Sequence, residues 1–341
     1  MTMRDSRRKG DRHLLPERPE GCSTQKVPVT FSPYAVWTHF ALHLWFISPE
    51  TNGRRPMMTP GLVIALAFAA VCQVEIRRQS STETEKDAGS ALHALNLADA
   101  REYRIYRDVR KEEMLELRRQ PVYAWTNPTR DGGQVGALFV WTRRDRPEAV
   151  GSIFSHPMAG GRRVIHEFHS LSPVILYPER NIPIRWQPKS GAVLKAVPGA
   201  PTPAESRPKR RLQMKSLARE FSAYSITPAN GDRWELRLQT TPLVRYDAAG
   251  PDVLGGALFT FVTTAGTDPE IMLLIEARKT EQGWRWMFTP ARFSDYSLYL
   301  LHKNRQIWAA VRGPQDTWES DRQHLYHARI DRLIPEIERD R

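Results

Sequence analysis

Cysteine is nearly missing from this sequence: Cys22 and Cys72 are the only two among 341 residues. A disulfide framework therefore cannot be built within one chain, nor can a thiolate zinc cluster. Also missing are the Gly-x-Ser-x-Gly elbow, the phosphate-binding P-loop and the Gly-rich dinucleotide fingerprint. Their absence removes the enzyme classes most readily read from sequence. No residue is assigned a catalytic role, and no metal or cofactor is expected.

Long hydrophobic runs are scarce too. Met57 to Val74 is a stretch of eighteen uncharged residues around an apolar heart, Leu62 to Ala70. That is the length of a signal-peptide core and short of the roughly twenty residues of a membrane span. Ala67 and Ala69 suit cleavage after Ala69, and Arg54 and Arg55 supply the positive flank. Arg77 and Arg78 follow the run and balance that pair, which keeps a retained anchor open as the rival. Residues 57–78 thus read as a signal peptide or membrane anchor. Residues 1–56, irregular and rich in Arg, Pro and His, read as a disordered or mis-assigned extension. The expected location is the periplasm or cell envelope, with membrane association possible through residues 57–74.

What is present begins with charge. Fifty Lys and Arg against 38 Asp and Glu give a formal +12, which favours anionic neighbours without choosing among them. The basic run Arg207, Lys209, Arg210, Arg211, Lys215 and Arg219 could meet phosphate-rich polymers or be a solvated helix face. Nucleic acid is disfavoured, because no aromatics interleave this run.

Self-similarity comes next. Gly136-Ala-Leu-Phe139 recurs as Gly256-Ala-Leu-Phe259. At a similar offset of about 120 residues, Ala100-Arg-Glu-Tyr103 recurs as Ala218-Arg-Glu-Phe221, Pro147-Glu148 as Pro269-Glu270, and Trp186 as Trp308. The expectation is two tandem units, 85–188 and 208–312, joined by a Pro-rich linker over 189–207. Leu92 and Leu95, and later Met214, Leu217 and Phe221, keep helical spacing, whereas Trp234, Leu236 and Leu238 alternate as a strand does. Ile271 to Ile275 is apolar throughout and predicts a central strand covered on both faces. Tyr326, Ile330 and Leu333 predict a C-terminal helix within 313–341, ended by Pro335. The predicted class is α+β: two repeats, each a helix packed on an antiparallel sheet of about five strands, plus that helix.

At Trp125-Thr-Asn-Pro128, His166-Glu-Phe-His-Ser-Leu171, Gly266-Thr-Asp-Pro-Glu270 and Leu273-Leu-Ile-Glu-Ala-Arg278 the chain resembles an uncharacterised family of exported proteins from planctomycete bacteria. The resemblance covers roughly 100–312. It implies an envelope location and carries no activity, cofactor or site residue.

The most site-like cluster is His166-Glu167-Phe168-His169, with Arg162 and Arg163 just before it. On a helix the two histidines could share a metal, but the spacing is not that of a zinc protease. On a strand they face opposite ways. Any ligand contact is expected from His166, Glu167, His169, Arg162 and Arg163, near a cleft between the units. The leading function is a non-catalytic envelope protein binding a partner protein or an anionic or cell-wall polymer. The rivals are an enzyme with an unrecognised site in the cleft and a cytoplasmic nucleic-acid binder.

Overall fold

A computed structural model describes residues 89–182, 184–312 and 323–335. The signal or anchor segment and the extension before it lie outside the described residues. Among the described residues no helix is long and apolar enough to cross a membrane.

The chain is built mostly of β-strands. Helix α1 covers 89–101 among the described residues. It is followed by β1 (Arg104–Tyr106), β2 (Glu116–Leu117), β3 (Tyr123–Asn127), β4 (Gln134–Arg143), β5 (Arg146–Met158), β6 (Gly161–Ser170), β7 (Tyr177–Glu179) and β8 (Lys195–Ala196). Helix α2 (Arg207–Ala218) leads into β9 (Phe221–Ile226), β10 (Arg233–Leu238), β11 (Val244–Tyr246), β12 (Val253–Val262), β13 (Pro269–Thr280) and β14 (Gly283–Arg292). Last come β15 (Ser297–His302), β16 (Arg305–Ala310) and β17 (Tyr326–Ile334).

These strands form two large antiparallel sheets. The first runs β17-β6-β5-β4-β2 with β3 also on β4, and the second runs β16-β15-β9-β10-β12-β13-β14-β8 with β11 also on β12. β1 pairs with β7 alone.

Three apolar clusters explain the layering. Ala137, Phe139 and Trp141 of β4 point toward α1, where they meet Tyr103 and Phe168. Leu138 and Val140, the alternate residues, point the other way and pack with Leu258, Met272 and Leu274 of the second sheet. On that sheet's far face Phe259, Phe261 and Ile275 lie under Met214 and Leu217 of α2. A strand between two apolar layers needs apolar residues at both parities, which is why β4 and β13 read as continuous hydrophobic runs.

The expected α+β class is therefore wrong. Among the described residues two helices cover a mostly β body, which is not a pair of tandem helix-on-sheet repeats. The sheets grow by strands that no local signal announces. β8, inside the presumed linker, adds to β14 through Met287 and Phe288. The C-terminal helix is absent as well: Tyr326–Ile334 is a strand on β6. Trp186 and Trp308 do not correspond, since Trp186 is buried in a loop after β7 and Trp308 sits half-buried on β16. Nor is Trp234 a core residue, being 45% exposed.

Candidate functional site

Strand β6 alternates, so its five candidate residues divide between two faces. Arg162 and His166 face α1. Arg163 and Glu167 face a cavity of about 330 Å³ with Trp125, Phe154, Phe293 and Tyr326 in its walls. His169 shares their parity, further along the strand.

On the α1 side His166 is buried in a polar lattice. Its Nδ1 meets the Tyr103 hydroxyl at 2.7 Å and its Nε2 meets Asp99 at 3.1 Å. Asp99, His166 and Asp331 each present one ligand atom within 4.8 Å of the others, the spacing of a metal site. Arginines already serve both carboxylates, however: Arg332 lies 2.8 Å from each, and Arg180 lies 2.6 Å from Asp331. Burial pushes Asp331 up, but Arg180, His166 and Arg332 together hold it down at about 2. Charge is balanced without an ion, and the lattice ties α1 to β6 and β17. Arg162 is structural too, donating to the Ser155 hydroxyl at 3.1 Å and to the Ser155 carbonyl at 3.2 Å.

The cavity side is different in character. Glu167 accepts a 2.6 Å hydrogen bond from the Tyr326 hydroxyl of β17. Burial pushes its carboxyl up to about 8, against the pull of that bond and of Arg130. The His169 Nδ1 lies 2.8 Å from the Ser170 carbonyl, and its ring sits beside Phe293 and Tyr326. Burial lowers it to about 4, and it packs on Phe293 and Tyr326 outside the cavity lining.

The residue that organises the site was not singled out in the sequence. Arg130 stands in the turn between β3 and β4, where Asp131, Gly132 and Gly133 all take positive φ. Its guanidinium reaches Glu270 at 3.0 Å, Asp268 at 3.3 Å and Asp295 at 3.0 Å, and lies over the Tyr296 ring. Asn127 donates to Asp268 at 2.9 Å. The segments Trp125-Thr-Asn-Pro128 and Gly266-Thr-Asp-Pro-Glu270 are thus brought face to face at the join of the two sheets. Their Asn-Pro and Asp-Pro dipeptides were the available signal, marking turns where polar side chains collect. Burial raises Glu270 to about 7, with Asp268 adding in the same direction and Arg130 opposing.

A pH dependence follows. An acid with a raised folded pKa keeps a proton that the unfolded chain releases, so its contribution is complete below about 4.5 and fades as pH rises through the folded value. His169 acts oppositely, its lowered value adding stability between about 4 and 6.5. Above 6.5 the two glutamates act alone, and the melting temperature should fall from pH 6.5 to 8. Glu167→Gln should flatten that slope; an unchanged slope in the variant would show that Glu167 ionises as an ordinary exposed carboxylate.

The donors and acceptors suit an organic, hydrogen-bonding ligand. Glu167, Asp295 and the half-buried Arg163 line the cavity together with the rings of Trp125, Phe154, Phe293 and Tyr326. A scan against family models, a search of curated proteins and a search of solved structures found no match to this chain.

Proposed function

We propose that this chain is a non-catalytic envelope protein that holds a unit of a cell-wall glycan in the Glu167–Arg130 cavity. The observation that carries the reading is the aromatic wall of Trp125, Phe154, Phe293 and Tyr326 set against Arg163, Glu167 and Asp295 in one cavity. The rings of Phe154, Phe293 and Tyr326 offer apolar faces to a sugar, while Glu167, Asp295 and Arg163 offer hydrogen bonds around its edge. The envelope placement rests on the run Met57–Val74 and on the resemblance to exported planctomycete proteins.

The test is calorimetric titration of the full chain with soluble cell-wall glycan fragments. Glu167→Gln keeps the shape of the site and removes the acid, and should weaken binding about tenfold, the worth of one good hydrogen bond. Equal affinity in wild type and variant would remove the ligand from this cavity.

A second reading, glycan hydrolysis, is favoured by one observation. A buried acid raised to about 8 lines the same cavity as a second carboxyl group, that of Asp295, and two carboxyl groups in one cavity are what such chemistry uses. Release of reducing ends by wild type, abolished in Glu167→Gln, would establish it. Binding without release leaves the first reading.

A further inference from the structure

The second large feature of the molecule is the outer face of α2. Helix α2 lies on the second sheet through Met214, Leu217 and Ala218 and leaves the rest of its circumference open. That open surface is basic along its whole length. Arg207 and Arg211 share a single carboxylate, Asp247. Lys209, Lys215 and Arg219 on the helix, and Arg245 beside it on β11, are exposed and make no ion pair among the described residues.

Two features do not fit a merely solvated face. The first turn of α2 carries no acidic residue and crowds Arg207, Lys209 and Arg210 at the end where the helix dipole already repels cations. Asp247 offsets Arg207 and the Ala204 and Glu205 carbonyls receive Arg210, but Lys209 makes no ion pair among the described residues. The second is apolar: Leu212 is 70% exposed amid the cations. Beside it lies a cavity of about 370 Å³ floored by Met214, Pro242 and Phe259, with Arg211, Lys215 and Arg245 among its lining residues.

We infer that this face of α2 docks on an anionic lipid bilayer. Cations would meet the headgroup phosphates while Leu212 and the groove reach the acyl boundary, the division of labour of an interfacial helix. Charge complementarity selects the surface. The sequence adds proximity, because only fourteen residues separate Val74, the end of the apolar run, from residue 89, the first described residue of α1. Fully extended they span at most roughly 50 Å, so a membrane that takes up the run holds the folded body within reach. The inference is independent of the glycan cavity, which lies at the join of the sheets.

The experiment is co-sedimentation of the full chain with vesicles of phosphatidylglycerol or of phosphatidylcholine. Any binding through the apolar run is common to wild type and variants and to both vesicles, so the ratio of affinities for the two compositions is what counts. Wild type should prefer phosphatidylglycerol, and the preference should collapse in 1 M salt, where screening acts over about 3 Å. The triple variant Lys209→Gln/Lys215→Gln/Arg245→Gln should lose roughly fivefold per charge, about a hundredfold in all. Those side chains are exposed and unpaired, so melting should be unchanged. Leu212→Ser should reduce vesicle binding a fewfold while leaving any affinity for soluble polyphosphate untouched. If the triple variant sediments with phosphatidylglycerol as wild type does, or if wild type binds polyphosphate but shows no lipid preference, the inference is wrong.

Discussion

Glu276→Ala is expected to lower the unfolding free energy by about 3–5 kcal/mol, the cost of removing one partner from a buried ion pair. Glu276 of β13 is fully buried and receives Arg146 of β5 through two hydrogen bonds, at 2.8 and 3.2 Å. The Tyr246 hydroxyl donates to the same carboxylate at 2.6 Å, and Arg278 approaches at 2.9 Å. Burial drives this carboxyl up, but the charge and hydrogen bonds of Arg146 together with the Tyr246 hydrogen bond and the Arg278 charge outweigh it and hold the group below its ordinary value. The alanine variant strands a guanidinium in the seam between the sheets with Glu148, at 3.0 Å, as its remaining carboxylate. The measurement is a urea unfolding curve. Arg146→Met/Glu276→Leu, which empties the seam of both charges, should recover most of the loss. A single variant as stable as wild type would mean that water reaches this seam.

Phe168→Ala should cost about 3–5 kcal/mol by a different route, the loss of a large side chain from a packed core. Its ring stacks on Trp186 with centroids 5.0 Å apart and leans on Tyr103 at 4.5 Å and Trp141 at 5.7 Å. These partners come from separate parts of the first half of the body and cannot collapse together into the space left behind. Because Phe168 and Glu167 point to opposite faces of β6, the variant should melt earlier and still bind ligand with near-normal affinity below its transition. Phe168→Leu, which refills much of the volume, should recover most of the difference.

Much of the strand content could be read from the sequence because alternation and continuous apolar runs are local signals. Ile271 to Ile275 has a strand on each side and apolar layers on both faces. The layering could not be read, because Leu138 and Phe139 carry no mark of which sheet or helix each will meet. The tail was misread for a specific reason. β17 carries a register shift between Ile330 and Arg332, which changes the phase of its alternation. Tyr326 and Ile330 before the shift, and Leu333 after it, then mimic the spacing of one helical face.

The site was half legible. His166-Glu167-Phe168-His169 drew notice because its residue types are rare together, but pleating sends only Glu167 of this run into the cavity lining. Arg130, Asp268 and Asp295 stayed hidden because 138 residues separate Arg130 from Asp268. Isolated charges of that kind acquire a role only when two sheets meet.

The partnership of Glu167 with Tyr326 also sets an order of events during synthesis. The two residues are 159 apart in the chain, and at the 5–20 residues added per second by a ribosome the second follows the first by about 8–30 s. Throughout that interval β6 has left the ribosome with one side unpaired, while the whole second sheet is still being made. An unpaired strand of this kind is an invitation to pair with another nascent chain. The cavity is likewise missing a wall until β17 arrives, so ligand cannot assist the early stages of folding, and a chaperone that shields β6 has its use in those seconds.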